Sequence, residues 1–212
     1  MKVKGIIYDF DGVICDSVNV KTEAFSEMYK LYGEEVQSQV VRYHLMHGGV
    51  SRFDKIKYFH NNFLGKKISN IEIDELAEQF SLLVKEKVIS SKFIKGADIF
   101  LEKNCRDFIQ FICTGTPENE IVDICDRRNL SGYFEGIYGS PKKKIGIIDL
   151  ILFKTGIKPS HFLYFGDAIT DYEAAKTFDM PFVGILSPDT IFPTGTNVIS
   201  NFEDIELSNI IQ

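Results

Sequence analysis

A short apolar stretch rich in β-branched residues, Val3 to Tyr8, runs directly into Asp9-Phe10-Asp11-Gly12. So brief a run reads as a strand buried on both faces, the kind that sits inside a parallel sheet. Side chains alternate along a strand, so Asp9 and Asp11 leave its C-terminal end on one face. In open α/β sheets that edge is where ligands bind. Two carboxylates so close repel, and the pattern implies a cation between them, a shared proton, or both. A solvated acidic turn is the competing reading, because Asp-Gly is also a common turn dipeptide.

The rest of the chain narrows the choice. Its 212 residues allow a substantial core, enough for one domain with an insertion. A formal net charge of −6 argues against nucleic-acid and anionic-membrane partners. Cys15, Cys105, Cys113 and Cys125 form no Cys-x-x-Cys pair and match no zinc spacing, so they read as reduced thiols in a cytoplasmic protein. A core strand at the very start leaves no room for a cleaved signal, and no apolar run nears the roughly 20 residues of a membrane span.

After Gly12 the periodicity changes. Ala24, Phe25, Met28 and Leu31 follow helical spacing, as do Ile71, Leu76, Phe80, Leu83 and Val84. Gly33, Gly48-Gly49 and Gly65 punctuate this stretch, which lacks strand alternation. Beyond Phe93, strand and helix signals alternate. Strands are expected at 108–113, 136–138, 162–165 and 182–185. Helices are expected from Thr116, which would cap a helix with Pro117 at its first position, from Lys144 to Lys154, and from 170 to 178. Such alternation indicates a parallel sheet with right-handed crossovers. The expected fold is therefore α/β: a Rossmann-like three-layer core with a parallel sheet, residues 1–16 and 89–212, interrupted by an α-helical unit at 17–88.

Three strand ends then carry polar groups to one edge. Asp9 and Asp11 end the first strand, Thr114-Gly115-Thr116 the second, and Gly166-Asp167 with Asp171 a later one. Thr114 and the amides after it suit an anion at a helix start. Ser140-Pro141-Lys142-Lys143-Lys144 can add an ammonium. Clustered carboxylates suit Mg²⁺, which takes a few carboxylates, water and substrate phosphate. A phosphoryl group held there needs positioning and charge neutralisation more than acid strength.

In that order, Asp9-Phe10-Asp11-Gly12-Val13, Thr114-Gly115-Thr116, the lysine after Gly-Ser-Pro, and Gly166-Asp167 with Asp171 resemble the four motifs of the haloacid dehalogenase-like hydrolase superfamily, the match spanning nearly the whole chain. The resemblance implies a helical cap at 17–88 and a role for each motif residue. Asp9 would be the nucleophile that forms an aspartyl-phosphate, and Asp11 the acid for the leaving alcohol and then the base for water. Mg²⁺ would sit on Asp9, the Asp11 carbonyl and Asp167, with Asp171 in support. Thr114 and Gly115 would hold phosphoryl oxygens, and Lys144, with Lys142 as the alternative, would neutralise charge. Lys143 reads as a solvated side chain.

Asp11 separates the reactions within the superfamily. The resemblance implies that dehalogenases and phosphonatases lack an acid two residues after the nucleophile, whereas an alkoxide leaving group needs one. A phosphatase is therefore favoured. Gly49-Val50-Ser51-Arg52 is similar to the cap segment of β-phosphoglucomutases, where the arginine clamps a distal phosphate; otherwise Ser51 caps a helix and Arg52 is solvated. A mutase would carry a histidine where this chain has Lys21, which leaves mutase as the alternative. His44 and His47 read as surface or packing residues. A signalling receiver domain would lack the insert and the Gly-Asp segment, a silent scaffold would tolerate loss of the aspartates, and a calcium loop would need further oxygen ligands. The expected partner is a small phosphorylated metabolite, with oligomeric state open.

Overall fold

The computed structural model describes residues 2–188, 190–203, 205 and 207. The five predicted strands, joined by one that was not expected, form one parallel sheet among the described residues: β1 (Gly5–Tyr8), β2 (Ile109–Pro117), β3 (Gly136–Ser140), β4 (Phe162–Gly166), β5 (Phe182–Ile185) and β6 (Asn197–Ile199). Their order is β3-β2-β1-β4-β5-β6, and each neighbouring pair runs parallel. Strand β1 is thus central and fully buried. Ile6 and Tyr8 enter the core on one side, where Tyr8 stacks on Phe165 at 5.5 Å. Ile7 enters the other side with Phe111, Phe162 and Tyr164. This two-sided burial is why the run is uniformly apolar. Sequence order reverses at β1, with β2 on one flank and β4 on the other, which opens a crevice at the C-terminal edge.

The helices α5 (Ala97–Asn104) and α6 (Glu118–Arg127) cover one face, and α7 (Lys144–Thr155) and α8 (Ile169–Thr177) the other. Between β1 and β2 the chain forms α1 (Val18–Tyr29), a 3₁₀ turn at Lys30–Tyr32, α2 (Glu34–Met46), α3 (Arg52–Asn62) and α4 (Asn70–Ile89). Helix α4 starts on a reciprocal cap: the Ser69 hydroxyl accepts from Glu72 N at 3.3 Å, and Glu72 accepts from Ser69 N at 2.9 Å. Its buried stripe is Ile73, Ala77, Phe80, Val84 and Val88. The expected stripe shared Phe80 and Val84 but also held Ile71, which is 72% exposed. Helical spacing was right and its phase was off. Apolar residues on neighbouring faces cannot by themselves say which face is covered.

Two further boundaries moved. The second strand does not end at Cys113 but continues to Pro117, so Thr116 is extended and Pro117 precedes α6 without any side-chain cap. Strand β6 carried no clear alternation and was not anticipated. No helix of the described residues is long and apolar enough to cross a membrane.

Candidate active site

The crevice lies where the C-terminal ends of β1, β2 and β4 meet. Backbone pairing holds these ends level: Asp9 N donates to Phe165 O at 2.9 Å just past the last β1–β4 pair. Asp9 is buried, with its Oδ1 accepting from Phe10 N at 2.7 Å. Its Oδ2 accepts from Lys144 Nζ at 2.8 Å. Lys144 also reaches Asp171 Oδ1 at 2.5 Å, and Tyr164 Oη donates to the same oxygen at 2.7 Å. Of the three consecutive lysines, Lys142 and Lys143 are exposed and Lys144, the first residue of α7, turns inward. Burial alone would depress the Lys144 ammonium, but Asp171 and Asp9 outweigh it and hold the group charged.

Asp9, Asp167 and Asp171 offer carboxylate oxygens that all lie within 4.8 Å of one another. Burial, then repulsion from Asp9 and Asp171, pushes the Asp167 carboxyl well above the usual range. Burial raises Asp171 to about 6 despite Lys144. Among the described residues nothing donates a hydrogen bond to the Asp167 carboxylate. Three buried carboxylates around one ammonium leave negative charge uncompensated, and an all-oxygen donor set of this kind fits a hard divalent cation. Gly12 makes the packing possible. At φ +78° it sits in the left-handed region, and a Cβ there would come 2.1 Å from Asp167 Oδ2.

Asp11 lines the same cavity, but its carboxylate lies outside the trio. Its Oδ1 accepts from Ser17 Oγ at 2.6 Å, and its Oδ2 from Lys21 Nζ and from Thr116 Oγ1 at 3.1 Å. Burial works to raise the Asp11 carboxyl, yet Lys21 and the two hydroxyl donors prevail and hold it below its ordinary value. Lys21 also donates to Thr116 Oγ1 at 2.8 Å. The residue expected to cap α6 therefore orients an acid instead, a consequence of β2 running on past Cys113. Thr114 is buried, accepts from Thr116 N at 3.3 Å, and lines the cavity beside Gly115.

The helical segment closes over this edge through its Gly48-Gly49 turn. Thr170 Oγ1 donates to Gly48 O at 2.7 Å, and a Cβ on Gly115 would stand 2.6 Å from Gly49 O. Only paired glycines let the two backbones approach so closely. Ser51 caps α3, accepting from Asp54 N at 3.2 Å. Arg52 beside it is buried, not solvated: its Nη1 donates to Glu120 Oε2 at 2.9 Å and to Ser81 Oγ at 2.5 Å, and its Nη2 to Glu120 Oε1 at 2.5 Å. Its flat face lies over Phe80, 4.6 Å from the ring centre. The fork expected to take a second substrate anion is occupied by a carboxylate of α6. His47 stacks on Tyr43 at 3.8 Å, a packing role as expected. His44 is buried and lines the cavity, where Lys55 Nζ lies 2.8 Å from its Nδ1.

Reasoning from sequence thus missed Glu120, Ser17, Tyr164 and the work of Thr116, and took Lys21 as standing in place of a mutase histidine, a cation within reach of substrate, without its contact to Asp11. Glu118 and Glu120 stand in the first turn of α6, where a carboxylate also suits the helix dipole, so the sequence alone gives no sign that Glu120 pairs across to the insert.

The model of the haloacid dehalogenase-like hydrolase family matches residues 6–185. None of the curated proteins compared matches the chain. Among solved structures, a β-phosphoglucomutase from Clostridium difficile superposes with a TM-score of 0.79 at 17% identity, over 98% of this chain and 95% of that one. A protein from Haemophilus somnus 129pt described as a predicted phosphoglycolate phosphatase gives 0.75 at 18%, over 100% and 99%. A protein from Bacillus subtilis described as a HAD-hydrolase, bound to magnesium, gives 0.70 at 15%, over 100% and 99%. At such identities the likeness speaks to the fold.

Proposed function

The chain belongs to the haloacid dehalogenase-like hydrolase family, and from that premise we propose that it is a Mg²⁺-dependent phosphatase acting on a small phosphorylated metabolite through an aspartyl-phosphate. The observation that carries this reading is the division of labour between the two opening aspartates. Asp9 faces Lys144 and the other carboxylates, while Asp11 faces Lys21 and two hydroxyls. One is placed to bond phosphorus and the other to handle a proton. A halide leaving group needs no proton, so the second site favours a phosphate ester.

Mg²⁺ would be held by Asp9, Asp167 and the Asp11 carbonyl, with Asp171 behind, and would supply neutralisation of phosphoryl charge. Lys144 holds the Asp9 carboxylate in place and adds a positive charge beside the phosphoryl oxygens. Thr114 and Gly115 line the same pocket and orient those oxygens. An oxygen of Asp9 attacks phosphorus, and the alkoxide leaves with a proton supplied by the Asp11–Lys21 pair. Asp11, ionised at rest because Lys21 lies on it, then takes a proton from the water that hydrolyses the acyl phosphate. Residues 17–88 act as the cap that excludes bulk water, the Gly48-Gly49 turn sealing it against the core. Arg52 serves as a tether to Glu120 in this closed form. The four unpaired cysteines suit a reducing, cytoplasmic setting.

A β-phosphoglucomutase-like reaction is less well supported, since Lys21 rather than a neutral group holds Asp11. A silent scaffold is disfavoured by the intact set of aspartates. The test is hydrolysis of p-nitrophenyl phosphate. Activity should require added Mg²⁺ and be lost in Asp9→Asn; full activity in that variant, or turnover in excess chelator, would sink the proposal.

A further inference from the structure

Lys21, Arg52 and Lys55 line the cavity, Lys144 reaches Asp9 at its edge, and all of these but Lys55 are paired with carboxylates among the described residues. Lys21 meets Asp11, Arg52 meets Glu120, and Lys144 meets Asp9 and Asp171. Lys55 is the exception. It is 3% exposed, and its ammonium has two neighbours within hydrogen-bond distance, His44 Nδ1 at 2.8 Å and His44 O at 3.4 Å. An ammonium only donates, so the Nδ1 lone pair must accept. Burial, then the charges of Lys55 and Lys21, keeps the imidazole neutral. Neither partner brings a negative charge.

Burying a cation without an anion is costly, and proteins rarely keep one where nothing uses it. Desolvation and Lys21 pull the Lys55 pKa down to about 7, against the weaker opposing pull of Asp11 and Asp167, neither of which reaches it as a salt bridge. Lys55 lies on α3 and His44 on α2, both in the helical insert and both lining the cavity that holds Asp9 and Asp11. With the phosphoryl group on the core side, Lys55 stands on the side of the departing alcohol.

Building on the phosphatase reading, we infer that Lys55, propped by His44, anchors a second anionic group of the substrate, so that the alcohol released carries a carboxylate or phosphate of its own. The anion completes the ion pair the fold leaves open. Arg52, already filled by Glu120, does not do this. His44 is a positioning residue: it fixes the ammonium without competing for charge.

The experiment compares ligands that differ only in that group, in three lengths: phosphoglycolate with ethyl phosphate, 3-phosphoglycerate with glycerol 3-phosphate, and fructose 1,6-bisphosphate with fructose 6-phosphate. Binding is measured by calorimetry with Mg²⁺ on full-length Asp9→Asn protein, which leaves each ligand intact. At least one anionic member should bind about 10- to 100-fold more tightly than its neutral twin, the range of a buried charge-assisted contact. Adding Lys55→Met should bring that ratio to within about threefold. The pair that responds tells carboxylate from phosphate. Equal binding within all three pairs overturns the inference without need of the Lys55 variant, should that variant not fold. A folded Lys55→Met protein that keeps the preference overturns it too. Turnover by the unmodified protein separates the two ideas: preference without hydrolysis defeats the phosphatase reading and leaves the anion subsite, and hydrolysis without preference defeats the subsite alone.

Discussion

Arg52 and Glu120 face each other fork to fork, Nη1 to Oε2 at 2.9 Å and Nη2 to Oε1 at 2.5 Å, with both side chains almost entirely out of water. They lie 68 residues apart and join helix α3 of the insert to helix α6 of the core. Removing one partner strands a buried charge. Arg52→Ala should therefore lower the unfolding free energy by about 3–5 kcal/mol in urea denaturation, whereas Arg52→Met with Glu120→Leu should recover most of that loss. If Arg52 is a tether, Arg52→Ala should reduce turnover of singly and doubly anionic phosphates alike. A loss confined to the doubly anionic ones would restore it as a substrate clamp.

The carboxylate trio makes a prediction that does not depend on turnover. Mg²⁺ at a hundredfold excess over its Kd should stabilise the protein by about 2.7 kcal/mol, read as a rise in Tm. Asp167→Asn should weaken calorimetric Mg²⁺ binding by at least about 10-fold. Because Asp171 is raised to about 6, protons should compete with the metal as pH falls through that value. Binding that is flat between pH 5 and 7 would contradict the assignment.

The Asp11–Lys21 contact predicts a dependence on the leaving group. A nitrophenolate departs readily without a proton, and an alkoxide does not. Lys21→Met and Asp11→Asn should each cost alkyl phosphates on the order of 10²-fold or more in kcat/KM, the usual worth of a general acid. Their cost on p-nitrophenyl phosphate should be clearly smaller. Equal losses on the two classes would assign both residues to phosphoryl binding instead.

Lys55 predicts how stability varies with pH. Its folded pKa, about 7, lies below the ordinary lysine value of 10.5, so between those limits the unfolded chain holds the extra proton. Stability contributed by this site therefore rises with pH across that window, and the penalty is fully present below it. Lys55→Met removes the penalty. The Tm difference, variant minus wild type, should be most positive near pH 6 and shrink by pH 9; a difference independent of pH would mean that the ammonium is not strained.

Much of the site was legible because it is local in the chain. Asp9 and Asp11 follow the β1 strand, Thr114 lies on β2, and Asp167 follows β4. Parallel connectivity obliges those three edges to meet. The motif pointed to Lys144 with Lys142 as the alternative and Lys143 as solvated, and Lys144 is the one that turns inward. Between it and Lys142 the sequence left the choice open, because both stand at one helix start and the rotation of α7 decides. Thr116 was misassigned because Pro117 and Glu118 carry a strong helix-start signal, while the extra length of β2 comes from pairing with β3.

From its own residues, then, the chain determined a central strand buried on both faces, the crossover order and the carboxylates at the sheet edge, because short apolar runs and their turns depend on near neighbours. Tertiary structure alone decided which charges meet. Lys144 finds Asp9 across 135 residues, Thr116 finds Asp11 across 105, and Lys55 forms no salt bridge among the described residues, only feeling Asp11 and Asp167 at a distance. Those outcomes depend on the rotational phase and docking of helices. Many faces of one amphipathic pattern bury similar apolar area, and the packed fold selects among them.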